Sequence, residues 1–264
     1  MNCKVCNAKT ANIFDATILA KYNIKYFQCQ NCGFLQTEEP YWLEESYRES
    51  INISDTGYMS RNIYLSRVSS VLIYLFFNRK ARFIDYGGGY GVFVRLMRDI
   101  GFNFYWQDTY TTNLFARGFE AETPPCELVT SFETFEHFVE PDKEIRVMLE
   151  LSDNILFSTE LYGDTVPLPN DWYYYGLNHG QHISFYNIRT LQYIAQKYSL
   201  RLWSNCHSLH LLTKEKINPT LLKLAYYSNK VGFAGVVKRR MNSKTLSDCN
   251  YLRNYDKKNN IASL

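Results

Sequence analysis

Three sets of residues in this sequence are spaced for chemistry: a glycine run between two acids, four paired cysteines, and histidines in the second half of the chain. The glycine run is Asp85-Tyr86-Gly87-Gly88-Gly89-Tyr90-Gly91. It follows the apolar pair Phe83-Ile84 and leads straight into the helical pattern Val92–Asp99. Gly87, Gly89 and Gly91 permit φ > 0 and, having no Cβ, let the backbone press against a ligand. A dinucleotide fingerprint would need another Gly three positions after Gly89, and Val92 stands there. The spacing therefore points away from a pyrophosphate and towards S-adenosylmethionine (SAM), which carries a sulfonium, an ammonium and a carboxylate. Asp85 suits such a cationic amino-acid tail. Asp108, seventeen residues past Gly91 at the end of the apolar segment Phe102–Gln107, stands where a second strand places an acid on ribose hydroxyls.

Cys3-x-x-Cys6 and Cys29-x-x-Cys32 are two knuckles separated by 22 residues, a spacing that lets four thiolates converge on one zinc ion. A four-thiolate set leaves no open coordination position, so the expected role is structural. A redox C-x-x-C is the rival, but such motifs come singly at a helix start. The first 40 residues or so cannot build a sufficient core, and the metal would supply much of their folding energy. Ile13-Phe14 and Lys25–Gln28 would supply short strands between the knuckles.

The elements that must position these residues read as strand, glycine turn and helix, the first unit of a Rossmann-like α/β fold. Ahead of it, Pro40–Tyr47 starts as a helix would. Tyr58–Phe77 then carries apolar residues at helical spacing (Ile63, Val68, Val71, Leu72, Leu75). At 264 residues and 46% hydrophobic content the chain can hold one large domain plus an appendage. Its 22 Tyr and 17 Phe suggest an aromatic-rich core or binding surface. No signal-peptide pattern precedes Cys3, and the longest apolar stretch, Val71–Phe77, is too short to cross a bilayer. A cytoplasmic protein is expected, in which seven cysteines are metal ligands or buried thiols rather than disulfides.

With these motifs goes Leu128–His137, read as a fourth strand ending in Phe132-Glu133-Thr134-Phe135-Glu136-His137. Together the three motifs, in this order and with βαβ spacing over roughly 80–213, resemble class I SAM-dependent methyltransferases. The resemblance implies a Rossmann-like, mostly parallel sheet with an antiparallel closing strand. It implies that Asp85 and Gly87 face the methionine end of SAM, Gly89 and Gly91 shape the backbone approach, and Asp108 holds the ribose. Phe132 and Glu133 would line the adenosine. Asp153–Thr159 would be the fifth strand, and Leu200–Asn205 with Ser208–Thr213 the closing hairpin. Tyr86 departs from the family, which often has a small residue there.

The long segment Tyr162–Gln181 is rich in turn formers and aromatics, including Trp172-Tyr173-Tyr174-Tyr175. Rings beside Asp171, Asn178 and His179 would suit a sugar. The stretch His179–Tyr186, followed by Asn187 as a helix cap, resembles the His-x-x-His-x-Ser-aromatic element of bacterial methyltransferases from polysaccharide and deoxysugar pathways. Some of these carry an N-terminal four-cysteine zinc site. Gln181 replaces the Glu of their Glu-His pair, which counts against carbon methylation. His182 and His137 are the candidate bases for a hydroxyl acceptor, while His207 and His210 read as structural.

From Lys214 onwards 11 Lys/Arg face 3 Asp/Glu, a net charge of +8 on a chain whose total is +3. The rest is acidic, which argues against nucleic acid as partner. The basic tail would allow peripheral contact with the inner face of a membrane. The resulting expectation is a zinc ribbon over 1–40, a helical connector over 41–80, a SAM-dependent methyltransferase domain over 81–213 and a basic helical tail over 214–264. The acceptor would be a sugar, as nucleotide sugar or surface polysaccharide, methylated on oxygen. The rivals are a sugar C-methyltransferase or one acting on another small molecule or a nucleic-acid base, and a non-catalytic SAM-binding or zinc-ribbon interaction protein.

Overall fold

The structure, a computed structural model, describes residues 1–48, 55–122 and 125–259, the last five without their side chains. Ser54, first of the turn-forming run Ser54-Asp55-Thr56-Gly57, and the side chains of the polar run Asp256–Asn260 lie outside the described residues. The chain forms two compact units, Met1–Asp55 with Val129–Lys216 and Thr56–Leu128 with Ile217–Leu264.

In the first unit, β1 (Thr10–Ile18), β2 (Tyr22–Cys29) and β3 (Leu35–Thr37) form an antiparallel meander. A one-turn helix, α1 (Leu43–Ser46), follows. The first unit later adds β6 (Leu128–Ser131, whose first residue is Leu128 of the other unit), α4 (Pro141–Leu151) and β7 (Asn154–Ser158), then β8 (Ser184–Phe185) and α5 (Ile188–Lys197). The hairpin β9 (Arg201–Ser204) and β10 (Leu209–Thr213) completes it. β6 and β7 pair in parallel, β10 runs antiparallel to β7, and β9 antiparallel to β10, so β10 is the reversed strand of this group. The closing hairpin stands where the family resemblance implied.

The N-terminal meander does not end with the first 40 residues: β8 adds to it as a fourth strand, pairing Leu35 with Phe185 and Gln36 with Ser184. The core beneath this sheet draws on Ile18, Ile24, Tyr26, Leu35 and Trp42 from the N-terminal stretch. Tyr162, Tyr174, Tyr175, Ile183 and Phe185 come from the segment after β7. Each such buried large side chain contributes about 1.5–3 kcal/mol. This corrects one expectation. Tyr174 and Tyr175 are buried and Trp172 packs against them, so these rings are core rather than a sugar platform; Tyr173 is the exposed member, at 78%.

In the second unit, α2 (Tyr58–Phe76) packs on α3 (Val92–Ile100), and β4 (Arg82–Tyr86) pairs in parallel with β5 (Asn103–Gln107). Beyond β5 a single bridge, Trp106 to Glu120, stands in for a further parallel strand. The basic tail folds as α6 (Pro219–Ser228), α7 (Phe233–Arg240) and α8 (Thr245–Asn259). Asp248 of α8 is almost fully buried against Arg98 of α3, with Nη2–Oδ1 at 2.7 Å and Nε–Oδ2 at 2.8 Å. No helix among the described residues is long and apolar enough to cross a membrane.

Candidate active site

The glycine loop is built by its own backbone and by β5. β4 delivers Asp85, 3% exposed, and the amides of Gly87 and Gly88 then turn back onto the Gln107 carbonyl. Gly87, Gly89 and Gly91 all hold φ between +53° and +83°, the left-handed region that side chains avoid. Gly88 lies outside the left-handed region, but a Cβ there would lie 2.8 Å from Trp106 Cδ1 and 3.0 Å from Asp85 Oδ2. Trp106 lies against the loop and donates its indole N–H to the Gly89 carbonyl at 2.7 Å.

Asp108 ties the loop to the end of β5. Its Oδ2 accepts from Gly89 N at 2.9 Å, and Oδ1 accepts from Tyr110 N at 2.7 Å and Thr111 N at 2.9 Å. A carboxylate offers about four acceptor positions, so these three bonds leave one on Oδ2 for a ligand hydroxyl. A cradle of left-handed glycines with a buried acid at its mouth and an acceptor beside it fits SAM, whose amino-acid and ribose ends need those groups. Asp85, Gly87, Gly89, Gly91 and Asp108 thus lie in one loop-and-strand unit, as the spacing required.

The other two cofactor candidates belong to the first unit. Phe132 and Glu133 follow β6, and Glu133 sits at φ +54°, a costly conformation for a side-chain-bearing residue. Ser158 fixes it there, accepting from Glu133 N at 2.8 Å and donating to Glu133 Oε1 at 2.7 Å.

After this turn, a short 3-10 helix, Phe135–His137, presents Glu136 and His137. Three bonds bolt the segment of His182 against it: Ile183 N to Glu136 O at 2.9 Å, Ser184 Oγ to Phe138 O at 2.7 Å and Tyr186 Oη to Phe135 O at 3.1 Å. β8 is held on its far side by β3, and Thr37 N donates to Ile183 O at 3.1 Å. His137 and His182 therefore meet, their ring centroids 4.9 Å apart and edge to face. Each has Nδ1 against a backbone carbonyl: His182 to Tyr174 O at 2.6 Å, His137 to Gln181 O at 3.1 Å with Tyr47 Oη 2.9 Å away. A carbonyl can only accept, so the bond to Tyr174 places hydrogen on His182 Nδ1 and its lone pair on Nε2; His137 Nδ1 lies between a carbonyl that accepts and the Tyr47 hydroxyl, which can donate or accept.

Burial holds His137 neutral, its pKa pushed down to about 4. Burial, with the Glu133 charge behind it, pushes the Glu136 carboxyl up to about 8. Glu136 is 1% exposed, and its Oε2 has no hydrogen-bond partner among the described residues. Glu136 is the residue that reading the sequence left off the site. The signal for it was there in the Glu-His dipeptide, but acidity alone did not say which way it points. His179 packs on Gly176, where a Cβ would come within 2.3 Å of the ring. Gln181 donates from Nε2 to Ser46 O at 2.8 Å, a bond that a carboxylate could not make. That bond ties the Gln181 side chain to the end of α1. His210 is buried between Ser204 and Thr159, a structural residue as expected.

The four cysteines also converge. Their sulfurs all lie within 4.8 Å of one another, with Cys3–Cys32 at 3.6 Å and Cys6–Cys29 at 3.4 Å. Tetrahedral zinc at about 2.3 Å from each sulfur needs S–S separations of about 3.8 Å, so the donor set fits. Cys126 is a contrast: it is buried alone, its thiol pushed up to about 11.

The similarity to known proteins lies with this fold. No curated protein matches the chain in sequence. Among solved structures, the chain is similar to magnesium protoporphyrin IX methyltransferase from Synechocystis PCC 6803 with bound SAH, at 13% identity and a TM-score of 0.43. That match covers 66% of this chain and 96% of the other. It is also similar to the mitomycin 7-O-methyltransferase MmcR (12%, TM-score 0.42, 65% of this chain and 60% of the other). The pyocyanin biosynthetic protein PhzM is a third (9%, TM-score 0.44, 66% and 62%). Likeness this distant says nothing of the acceptor. The model of a methyltransferase-domain family, by contrast, matches residues 60–205, more than half of the chain. That span takes in the glycine loop, Asp108, the Glu136-His137 turn and His182, and on it the chain belongs to the methyltransferase-domain family, as a SAM-dependent methyltransferase.

Proposed function

We propose that this enzyme transfers the methyl group of SAM to a hydroxyl of a sugar, carried as a nucleotide sugar or a surface polysaccharide, and that its four cysteines hold a structural zinc ion. SAM supplies the electrophilic methyl. Asp85, Gly87, Gly89 and Gly91 hold its amino-acid end, Asp108 its ribose, and Phe132 and Glu133 line its adenosine. The chain's remaining task is to hold the acceptor oxygen in line and to accept the charge developing there. His182 and His137 are the residues assigned to that oxygen. As the O–CH3 bond forms and the S–CH3 bond breaks, the hydroxyl proton leaves on their side.

The observation that carries this reading is the pairing of two imidazoles, with His182 Nδ1 committed to the Tyr174 carbonyl so that its lone pair is on Nε2. Oxygen rather than carbon is favoured because Gln181 is spent on the Ser46 carbonyl and supplies no charge beside His182. Exposed Tyr173, bonded to Glu160, is the aromatic ring left for an acceptor to stack on.

A screen of nucleotide sugars with methyl-labelled SAM tests the reading. His182→Ala is expected to keep SAM affinity within about threefold and to slow transfer by roughly 10²–10⁴-fold. An unchanged rate would remove His182 from the mechanism. Label transferred to carbon rather than oxygen would overturn the acceptor chemistry.

A further inference from the structure

We propose that Glu136, His137 and His182 form a second metal centre, a divalent first-row cation site separate from the four cysteines. The geometry is that of a ligand set. One donor atom from each of the three residues lies within 4.8 Å of the others. A cation about 2.1 Å from each would need them to close in by roughly an ångström. His182 shows the pattern of metal-binding histidines, an Nδ1–H donated to a backbone carbonyl that fixes the ring and leaves Nε2 for the metal, and His137 Nδ1 is likewise held, between the Gln181 carbonyl and the Tyr47 hydroxyl. The carboxylate partner is almost wholly buried, and Glu136 Oε2 has no hydrogen-bond partner among the described residues. A cation satisfies that oxygen and offsets the cost of a buried negative charge.

Two imidazoles and one carboxylate suit Mn2+, Fe2+ or Co2+ better than Mg2+, which prefers oxygen, and leave open coordination positions. The substrate class follows, resting on the methyl-transfer reading above. A cation with neighbouring open positions binds an acceptor through two adjacent oxygens, as in a vicinal diol, and lowers the pKa of the hydroxyl it holds. With the cation bound, the imidazole lone pairs are committed to it, so His182 and His137 act on the acceptor through the metal and the hydroxyl proton leaves to solvent rather than to either ring.

Mn2+ is the probe, because a soft four-thiolate site does not compete for it. The zinc-loaded full-length protein is titrated with Mn2+ and followed by EPR, with no substrate present. The expected result is one bound Mn2+ per chain, with pulsed-EPR modulation from directly coordinated imidazole 14N. His182→Gln and Glu136→Gln should each weaken binding at least tenfold. Absence of a bound ion, or a bound ion without 14N coupling in the wild-type protein, would overturn the proposal whatever the variants do. Binding unchanged in both variants would overturn it as well. SAM affinity, measured on the same sample, is independent of this outcome, so failure here leaves the methyltransferase reading standing.

Discussion

The glycine loop and the histidine cluster are built by opposite means. The loop is almost all backbone: left-handed glycines, a buried acid two residues before them, and one aspartate at the end of the neighbouring strand gathering amides. The cluster is all side chains. They come from stretches far apart in sequence, Tyr47, Glu136-His137 and His182, and the Tyr174 and Gln181 carbonyls set the two rings. A site made of backbone is fixed by local sequence and tolerates no Cβ. A site made of side chains depends on everything that holds its strands in register. Here that includes the cysteine knuckles, because β3 carries β8, and His182 lies two residues before β8 begins.

The contrast is broken most severely at the loop. Asp85→Ala should abolish SAM binding measured by calorimetry, at least a 100-fold loss, with the circular dichroism spectrum kept. Retained affinity would mean that the buried acid serves packing alone. In the cluster, the comparison foresees an indirect route to inactivity. Cys29→Ser should lose zinc by elemental analysis, lower Tm by roughly 10 °C and reduce kcat while leaving SAM affinity near wild type. A normal kcat would separate the knuckles from His182.

Smaller effects sharpen the same division. Asp248→Ala strands buried Arg98 on α3, the helix that follows the glycine loop, and should cost about 3 kcal/mol in denaturant unfolding. It should leave the zinc content unchanged. The mildest is a pH slope. Burial holds the His210 pKa down at about 4, against 6.5 for a free imidazole. The folded state therefore keeps His210 neutral, while the unfolded chain takes up a proton below pH 6.5. The stability it contributes is whole above pH 6.5 and lost as pH falls towards 4, at up to about 1.4 kcal/mol per pH unit. His210→Gln should flatten that slope by up to one proton's worth. An unaltered slope would show that another group carries it.

How much of this was legible in the sequence follows from the same contrast. The loop, Asp108 and the helix after the loop could be read because each is a local pattern of residue type and period; the reversed closing strand was expected only from the family resemblance. The knuckles could be read because two C-x-x-C pairs at that spacing can bring four sulfurs together, as they do here. β8 could not: two residues long, it exists because β3 pairs with it. Trp172, Tyr174 and Tyr175 looked like a binding surface because ring content does not reveal which face meets a sheet. Gln181 looked like a lost catalytic acid until its bond to Ser46 gave it another task. Asp248 looked like part of a plain helical tail because its partners, Arg95 and Arg98, lie some 150 residues away.

The central claim is that the glycine loop with Asp85 and Asp108 holds SAM. Calorimetric titration of the folded, zinc-loaded protein with SAM tests it most directly. One SAM bound per chain, lost in Asp85→Ala, is the expected result; a folded sample that takes up no SAM would contradict the account.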